Sequence, residues 1–336
     1  ETLINEINHN RLAQAFLFCG PRGVGKTTCA RILAKEINKG TVPEGYDFSF
    51  NIFELDAASH NSVDDIRALN EQVRIPPQTG DYKVYIIDEV HMLSSAAFNA
   101  FLKTLEEPPS YAIFILATTE KHKILPTILS RCQVFNFDRI TIPQIVAHLK
   151  GIAKDEKIEA EEEALHLIAQ KADGAMRDAL SIFDQMASFG TEGKITYAEV
   201  IENLNILDYD YYFKITDGFV SGDISSVLVM YDEIQRNGFD GQLFINGLAS
   251  HFRDLLVAQN ANSQQLLEKS KELAGKYLSQ AKSVSASFVI NAINLLGESD
   301  TSYKTSRNQR LHVELCLRKL ASLQHAIDVT KKKSLG

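Results

Sequence analysis

No apolar run in this chain approaches the roughly 20 residues that a membrane-spanning helix needs, and the opening stretch Glu1 to Asn10 has neither the basic flank nor the apolar centre of a secretory signal. A soluble protein is expected, with the cytoplasm as the default compartment and no membrane partner. Paired cysteines are missing too: Cys19, Cys29, Cys132 and Cys316 form no C-x-x-C, and no H-E-x-x-H occurs, so neither a disulfide frame nor a zinc site is expected. Cys29 reads as a reduced thiol buried on an apolar helix face, and Cys316 likewise among Leu315 and Leu317. Positive charge is not in excess, since 35 Lys and Arg stand against 43 Asp and Glu, a net charge of -8. That balance argues against a protein that coats nucleic acid by itself, so any DNA contact must be local. The terminal cluster Lys331, Lys332, Lys333 reads as a solvated tail. No internal repeat and no low-complexity segment is visible.

What the sequence does have is length and order. Its 336 residues exceed one typical core, and 45% hydrophobic content can fill two or three. Short apolar runs recur in the first part: Phe16 to Cys19, Ile52 to Leu55, Val84 to Ile87, Ile113 to Leu116 and Val134 to Phe137. Continuous rather than alternating runs mean strands covered on both faces, hence a parallel sheet between helices. Thr27 to Asn38 reads as a helix with Cys29, Ile32, Leu33 and Ile37 on one face. Ser62 to Arg74 reads as another, opened by Asn61 or Ser62 and closed before Pro76 and Pro77. After about residue 140 strand signals vanish. Thr141 with Pro143 opens a helical region to Phe189, Phe189 to Gly193 is turn-rich, Thr196 to Leu207 connects, and a wholly helical part runs from about Tyr209 to Thr330. The expected division is 1–140 for the α/β domain, 141–192 for a small helical domain and 193–336 for a larger one.

The chemistry concentrates at the ends of the apolar runs. Gly20, Pro21, Arg22, Gly23, Val24, Gly25, Lys26, Thr27 fits G-x-x-x-x-G-K-T between an expected strand and helix, the context that motif requires. Glycines there let main-chain N–H groups cradle phosphate oxygens, Lys26 neutralises the outer phosphates, and the Thr27 hydroxyl can ligand Mg2+. Val84 to Ile87 leads into Asp88 and Glu89, at the edge of a parallel sheet where ligands sit. Asp88 is expected in the Mg2+ shell, with Glu89 polarising the attacking water. The run Ile113 to Leu116 delivers Ala117, Thr118 and Thr119 to the same edge, and Thr119 is the expected hydroxyl on the terminal phosphate or the water. Ser130, Arg131, Cys132 precedes the last strand. Gly174 to Asp178 opens a helix carrying Arg177, an arginine able to fold back over the nucleotide.

Together these residues resemble the AAA+ ATPases, and more narrowly the bacterial clamp-loader ATPases of the replicative DNA polymerase. The likeness rests on the run Phe18 to Thr28, on Glu54 to Ser59, on Asp88 to Leu93, on Leu102 to Pro109 and on Ser130 to Cys132. It is dense over residues 12 to 190 and thinner to about 325. The resemblance implies an α/β P-loop NTPase domain with a parallel sheet, then a small α-helical lid domain and an α-helical collar domain. It implies Mg2+ and ATP held by Gly20 to Thr28 with Asp88, and clamp loading on primed DNA with delta and delta-prime subunits, other copies of this chain and a sliding clamp. By the same resemblance Arg131 is the finger that completes a neighbour's site, Arg177 the second-domain sensor, Thr119 the first sensor, and Lys103 a DNA-facing residue.

The sequence departs from the family pattern at several points. Asn38 to Phe50 contains no cysteine where relatives often carry a four-cysteine zinc module, so no zinc is expected. Residues ahead of the first helix that help enclose adenine are not seen before Glu1, and no long-form extension follows Gly336. His60, Asn61 and Ser62 stand where relatives place basic residues, leaving Lys103 alone. Two other readings compete: a scaffold that binds ATP without turnover, disfavoured by the intact Glu89, and another AAA+ remodeller such as a branch-migration helicase, disfavoured by the helical third part.

Overall fold

Strand β1 (Ala15–Cys19) lies at the inside of a five-stranded sheet with β2 (Ile52–Asp56), β3 (Lys83–Asp88), β4 (Ala112–Thr118) and β5 (Gln133–Asn136), in the order β2-β3-β4-β1-β5. Every pairing is parallel, so the C-terminal ends of all five strands share one edge. The computed structural model describes residues 3, 6–7, 12–189, 193–267 and 269–334. The expected opening at Glu1 and the turn residues 190–192 lie outside them. The chain divides into two units, residues 1–147 with 169–182 and residues 148–168 with 183–336.

The continuous apolar runs do what both-face burial demands. On one face Leu17, Tyr85, Ile87, Phe114 and Leu116 pack with Ile66, Leu69 and Val73 of α2 (Val63–Val73) and Phe98, Phe101 and Leu105 of α3 (Ser95–Glu106). On the other, Phe16, Phe18, Val84, Ile86 and Ile115 pack with α1 (Lys26–Asn38). Helix α2 starts with a capping box in which Ser62 and Asp65 satisfy each other's backbone N–H groups. The last strand is shifted one residue from the expected Val134 to Phe137.

Two expectations are corrected. The buried stripe of α1 is Ala30, Leu33, Ala34 and Ile37, whereas Cys29 is exposed and Ile32 is 60% exposed. The spacing 30, 33, 34, 37 is itself a full helical stripe, and two alanines let the helix approach the sheet closely, which turns Cys29 and Ile32 outward. Strand structure also does not end at residue 140: a two-residue parallel pair joins β6 (Glu159–Ala160) to β7 (Lys194–Ile195). So short a pair leaves no periodicity to read.

Between these lie α4 (Pro126–Leu129), α5 (Ile142–Asp155), α6 (Glu162–Lys171), α7 (Met176–Phe189) and α8 (Tyr197–Asn203). The remainder is helical: α9 (Tyr209–Ser221), α10 (Ile224–Arg236), α11 (Gly241–Ala258), α12 (Lys271–Gln280), α13 (Ala286–Tyr303) and α14 (Gln309–Ser334). Asp208, Asp223, Asp240, Ser270 and Ser285 cap α9 to α13 in turn through their side chains. One core, from Leu207 to Leu320 and including buried Cys316, joins all six helices.

Candidate active site

At the C-terminal sheet edge β1 turns directly into the glycine-rich loop and then into α1. The Gly20 N–H donates to the Thr118 carbonyl at 3.2 Å, tying the loop to the end of β4. Gly20 has φ 154°, and a Cβ there would lie 2.2 Å from the Phe137 carbonyl oxygen. At Gly23 φ is 78°, and a Cβ would come 2.8 Å from that of Ala175. Both positions therefore exclude side chains by close approach of neighbouring chain. Gly25 caps α1, and the space where its Cβ would stand holds nothing within 4 Å.

Lys26 is 6% exposed, and its Nζ donates to the Gly20 and Pro21 carbonyls at 2.8 and 2.7 Å. Burial pulls its pKa down, opposed by the charges of Glu89 and Asp88. Among the described residues no carboxylate lies within ion-pair distance of this ammonium. Thr27 Oγ1 donates to Asp88 Oδ2 at 2.6 Å, while Asp88 Oδ1 accepts from the Glu89 N–H at 2.9 Å. Glu89 takes φ 46°, a left-handed conformation that costs a non-glycine residue about 1–3 kcal/mol and clusters at functional sites. Its Oε2 accepts from Thr119 Oγ1 at 3.0 Å and from Thr119 N at 3.3 Å. The sheet edge thus gathers Lys26, Thr27, Asp88, Glu89 and Thr119 in one place.

Three family-level matches tile the chain. Residues 1–141 match the family described as DNA polymerase III, delta subunit, and residues 144–192 the DNA polymerase III clamp loader subunit, ATPase lid domain. Residues 195–333 match DNA polymerase III subunits gamma and tau domain III. DNA polymerase III subunit tau of Bacillus subtilis (strain 168) is 38% identical over 340 residues, 97% of this chain and 60% of that protein. The chain belongs to the gamma/tau family of DNA polymerase III clamp-loader subunits. Subunit tau of Escherichia coli (strain K12) is 39% identical over 256 residues, 72% of this chain and 40% of that protein, so the chain spans about half the length of such relatives. Among solved structures, the Thermotoga maritima RuvB Holliday junction branch migration motor aligns at 22% identity and TM-score 0.48, covering 83% of this chain and 84% of that one. The three family-level matches fall in order on the parallel-sheet α/β part with its glycine-rich loop, on the helices that follow it and on the helical remainder.

In this clamp-loader chain the arginines sit apart. Arg177 is the second residue of α7, whose first turn abuts the glycine-rich loop: the Arg177 N–H donates to the Gly23 carbonyl at 3.2 Å, and its side chain is exposed. Arg131 precedes β5, and the register Phe16↔Gln133 and Cys19↔Asn136 puts it beyond the opposite edge of the sheet. At about 3.3 Å per residue the start of β5, level with Phe16, already lies roughly 13 Å along the strands from the glycine-rich loop that begins at Gly20. There Arg131 donates through Nη2 to Glu106 Oε1 at 2.8 Å and through Nη1 to the Thr127 carbonyl at 2.6 Å. Within the loop Val24 is buried, Pro21 half-buried, Arg22 exposed, and Thr28 exposed on α1. Lys103 is exposed on α3. His91, for which the sequence motif carries no expectation, also stands at the site, with Nδ1 3.3 Å from Glu89 Oε2. Only the sharp turn Val90–Met92 brings it back, and histidine two residues after an acidic pair is too common a pattern to signal that.

Proposed function

We propose that this chain binds Mg-ATP in the loop Gly20 to Thr28 and hydrolyses it, as a motor subunit that opens a sliding clamp and places it on primed DNA. The observation that carries this reading is the buried, carboxylate-free Lys26 ammonium beside an open glycine cradle. Such a cation satisfies itself on two carbonyls at rest and exchanges them for phosphate oxygens at little cost. The residues fit the group. Lys26 and the loop N–H groups would hold the phosphates, and Thr27 and Asp88, already in contact, the magnesium ion. When bound, magnesium neutralises phosphate charge. Glu89 would orient the attacking water and Thr119 sense the terminal phosphate.

Arg131 in this reading serves the neighbouring protomer, because the sheet separates it from its own phosphate loop. Arg177 would reach over the nucleotide from α7. We assign nucleotide binding to 1–140, the lid to 141–192 and the assembling collar to 193–336, in a cytoplasmic ring with delta, delta-prime and further copies. The decisive test is Glu89→Gln: ATP affinity within about twofold of wild type, with turnover reduced by at least about 100-fold. Equal turnover in both proteins would replace the motor by a nucleotide-binding scaffold.

A further inference from the structure

Glu89 is held through one oxygen. Oε2 accepts from Thr119 Oγ1 and N at 3.0 and 3.3 Å and lies 3.3 Å from His91 Nδ1, whereas among the described residues no donor meets Oε1. His91 belongs to the single turn Val90–Met92, entered through the left-handed backbone of Glu89, which folds the imidazole back along the carboxylate. Its side chain is 6% exposed and contacts a different group at each nitrogen: Thr118 Oγ1 is 3.0 Å from Nδ1, and Glu120 Oε1 is 3.7 Å from Nε2. Glu120 is itself tied to Lys123 at 2.6 Å.

An ionised carboxylate can only accept a hydrogen bond, so a lone pair on Nδ1 would face a negative oxygen. On Nδ1 the ring proton would serve Glu89 Oε2 and Thr118 Oγ1, whereas on Nε2 it would face Glu120 Oε1 only at 3.7 Å, beyond hydrogen-bond reach. Thr119, by contrast, has a single hydroxyl proton and two claimants. It now serves Glu89, and a terminal phosphate in the loop would draw the same proton away. Once it turns, the side-chain donor left on Glu89 is His91.

We propose that His91 is a positioning residue that anchors Glu89 Oε2 through Nδ1–H while Thr119 serves the phosphate, leaving Oε1 to the attacking water. This rests on the hydrolysis reading above. Loss of the anchor lets the carboxylate rotate, which slows the chemical step and leaves nucleotide binding alone.

The test uses donor position. Asparagine places its amide N–H near the position of Nδ1 and glutamine near Nε2, so the full chain is compared as wild type, His91→Asn, His91→Gln and His91→Ala, alone and assembled with its loader partners. His91→Ala should lower kcat on the order of 10–100-fold, the worth of one charge-assisted hydrogen bond, with KM moved less than about twofold. His91→Asn should keep kcat within about threefold, and His91→Gln should follow alanine. Unchanged kcat in His91→Ala, rescue by glutamine equal to that by asparagine, or a rise in KM alone would overturn the assignment. A second readout does not involve turnover: the nitrogen-15 spectrum of histidine-labelled chain, its His91 signals assigned by their loss in His91→Asn. Nδ1 should carry the proton, and Glu89→Gln should shift it. An unprotonated Nδ1, or a signal indifferent to Glu89→Gln, refutes the contact whatever the kinetics. Absence of turnover in the wild type, or wild-type turnover in Glu89→Gln, would instead bring down the hydrolysis reading and with it this role for His91.

Discussion

Each unit of this clamp-loader chain shields a lysine, and the two are treated oppositely. Lys26, in the α/β unit, has carbonyl partners only, and burial lowers its pKa. Lys269, in the helical unit, lies 3.1 Å from Asp254 Oδ2 and 3.3 Å from the Tyr209 hydroxyl, with its ammonium 4.8 Å from the centre of the Tyr209 ring. Burial works against its charge too, but Tyr209 and Asp254 outweigh it and the pKa rises. Asp254 is buried as well and takes a second cation, Arg253, at 2.8 Å. A shielded ammonium with its counter-ion in place is a cross-link. One without leaves its desolvation cost uncompensated, which on the reading proposed above an incoming phosphate would offset.

Lys26→Met should break the contrast most visibly. ATP affinity should fall by more than about a thousandfold, roughly 4 kcal/mol, as read by titration calorimetry. The same change should leave thermal stability level or higher, because it removes an uncompensated charge. A fall in Tm of several degrees would mean that Lys26 is structural after all. Asp254→Asn is the mirror image: about 3–4 kcal/mol of stability lost, read by denaturant unfolding, because two cations are left facing a neutral amide, with ATP affinity untouched.

The helical unit also carries a titrating counterpart. His251 is buried, with Nδ1 3.0 Å from the Tyr277 hydroxyl and Nε2 3.0 Å from Gln280 Oε1, and burial pushes its pKa down to about 4. Between that value and the ordinary value of 6.5 the unfolded chain takes up a proton that the native state refuses. Stability from this residue is therefore complete above about pH 6.5 and is lost as pH falls towards about 4, by about 3 kcal/mol in all. Thermal unfolding of wild type and His251→Gln across this window should show the steeper slope in wild type. Parallel curves would show that His251 is protonated without penalty.

The sheet was legible because strands buried on both faces must be apolar throughout, and Gly20 to Thr27 because the close approaches at Gly20 and Gly23 leave room for no other residue there. Convergence of Lys26, Thr27, Asp88, Glu89 and Thr119 followed from strand ends alone. Features that depend on three-dimensional closure left no trace. The segment between α1 and β2, which contains no cysteine, is fastened by buried Asn51, whose Nδ2 donates to the Thr79 and Tyr82 carbonyls at 2.8 and 2.9 Å and whose Oδ1 accepts from the Tyr46 hydroxyl at 2.8 Å. Asn38 adds an acceptor for the Tyr82 N–H at 3.1 Å. Asparagine is ordinary in turns, so nothing in the sequence marks these two as a staple. Cys29 was misplaced because two adjacent apolar stripes were possible on α1, and only the sheet chooses between them.

Lys103 extends the comparison to its weakest member, an ammonium neither shielded nor, among the described residues, in an ion pair. On the exposed face of α3 it stays hydrated, so meeting a DNA phosphate exchanges water and a counter-ion for one screened contact. Lys103→Ala should therefore cost only a few-fold in DNA stimulation of ATPase activity and flatten its dependence on salt concentration by about one unit of log–log slope. Stimulation unchanged at low salt would remove Lys103 from the DNA path. A loss above about tenfold would place it instead in a dry contact, where assembly has stripped its water as burial has stripped that of Lys26.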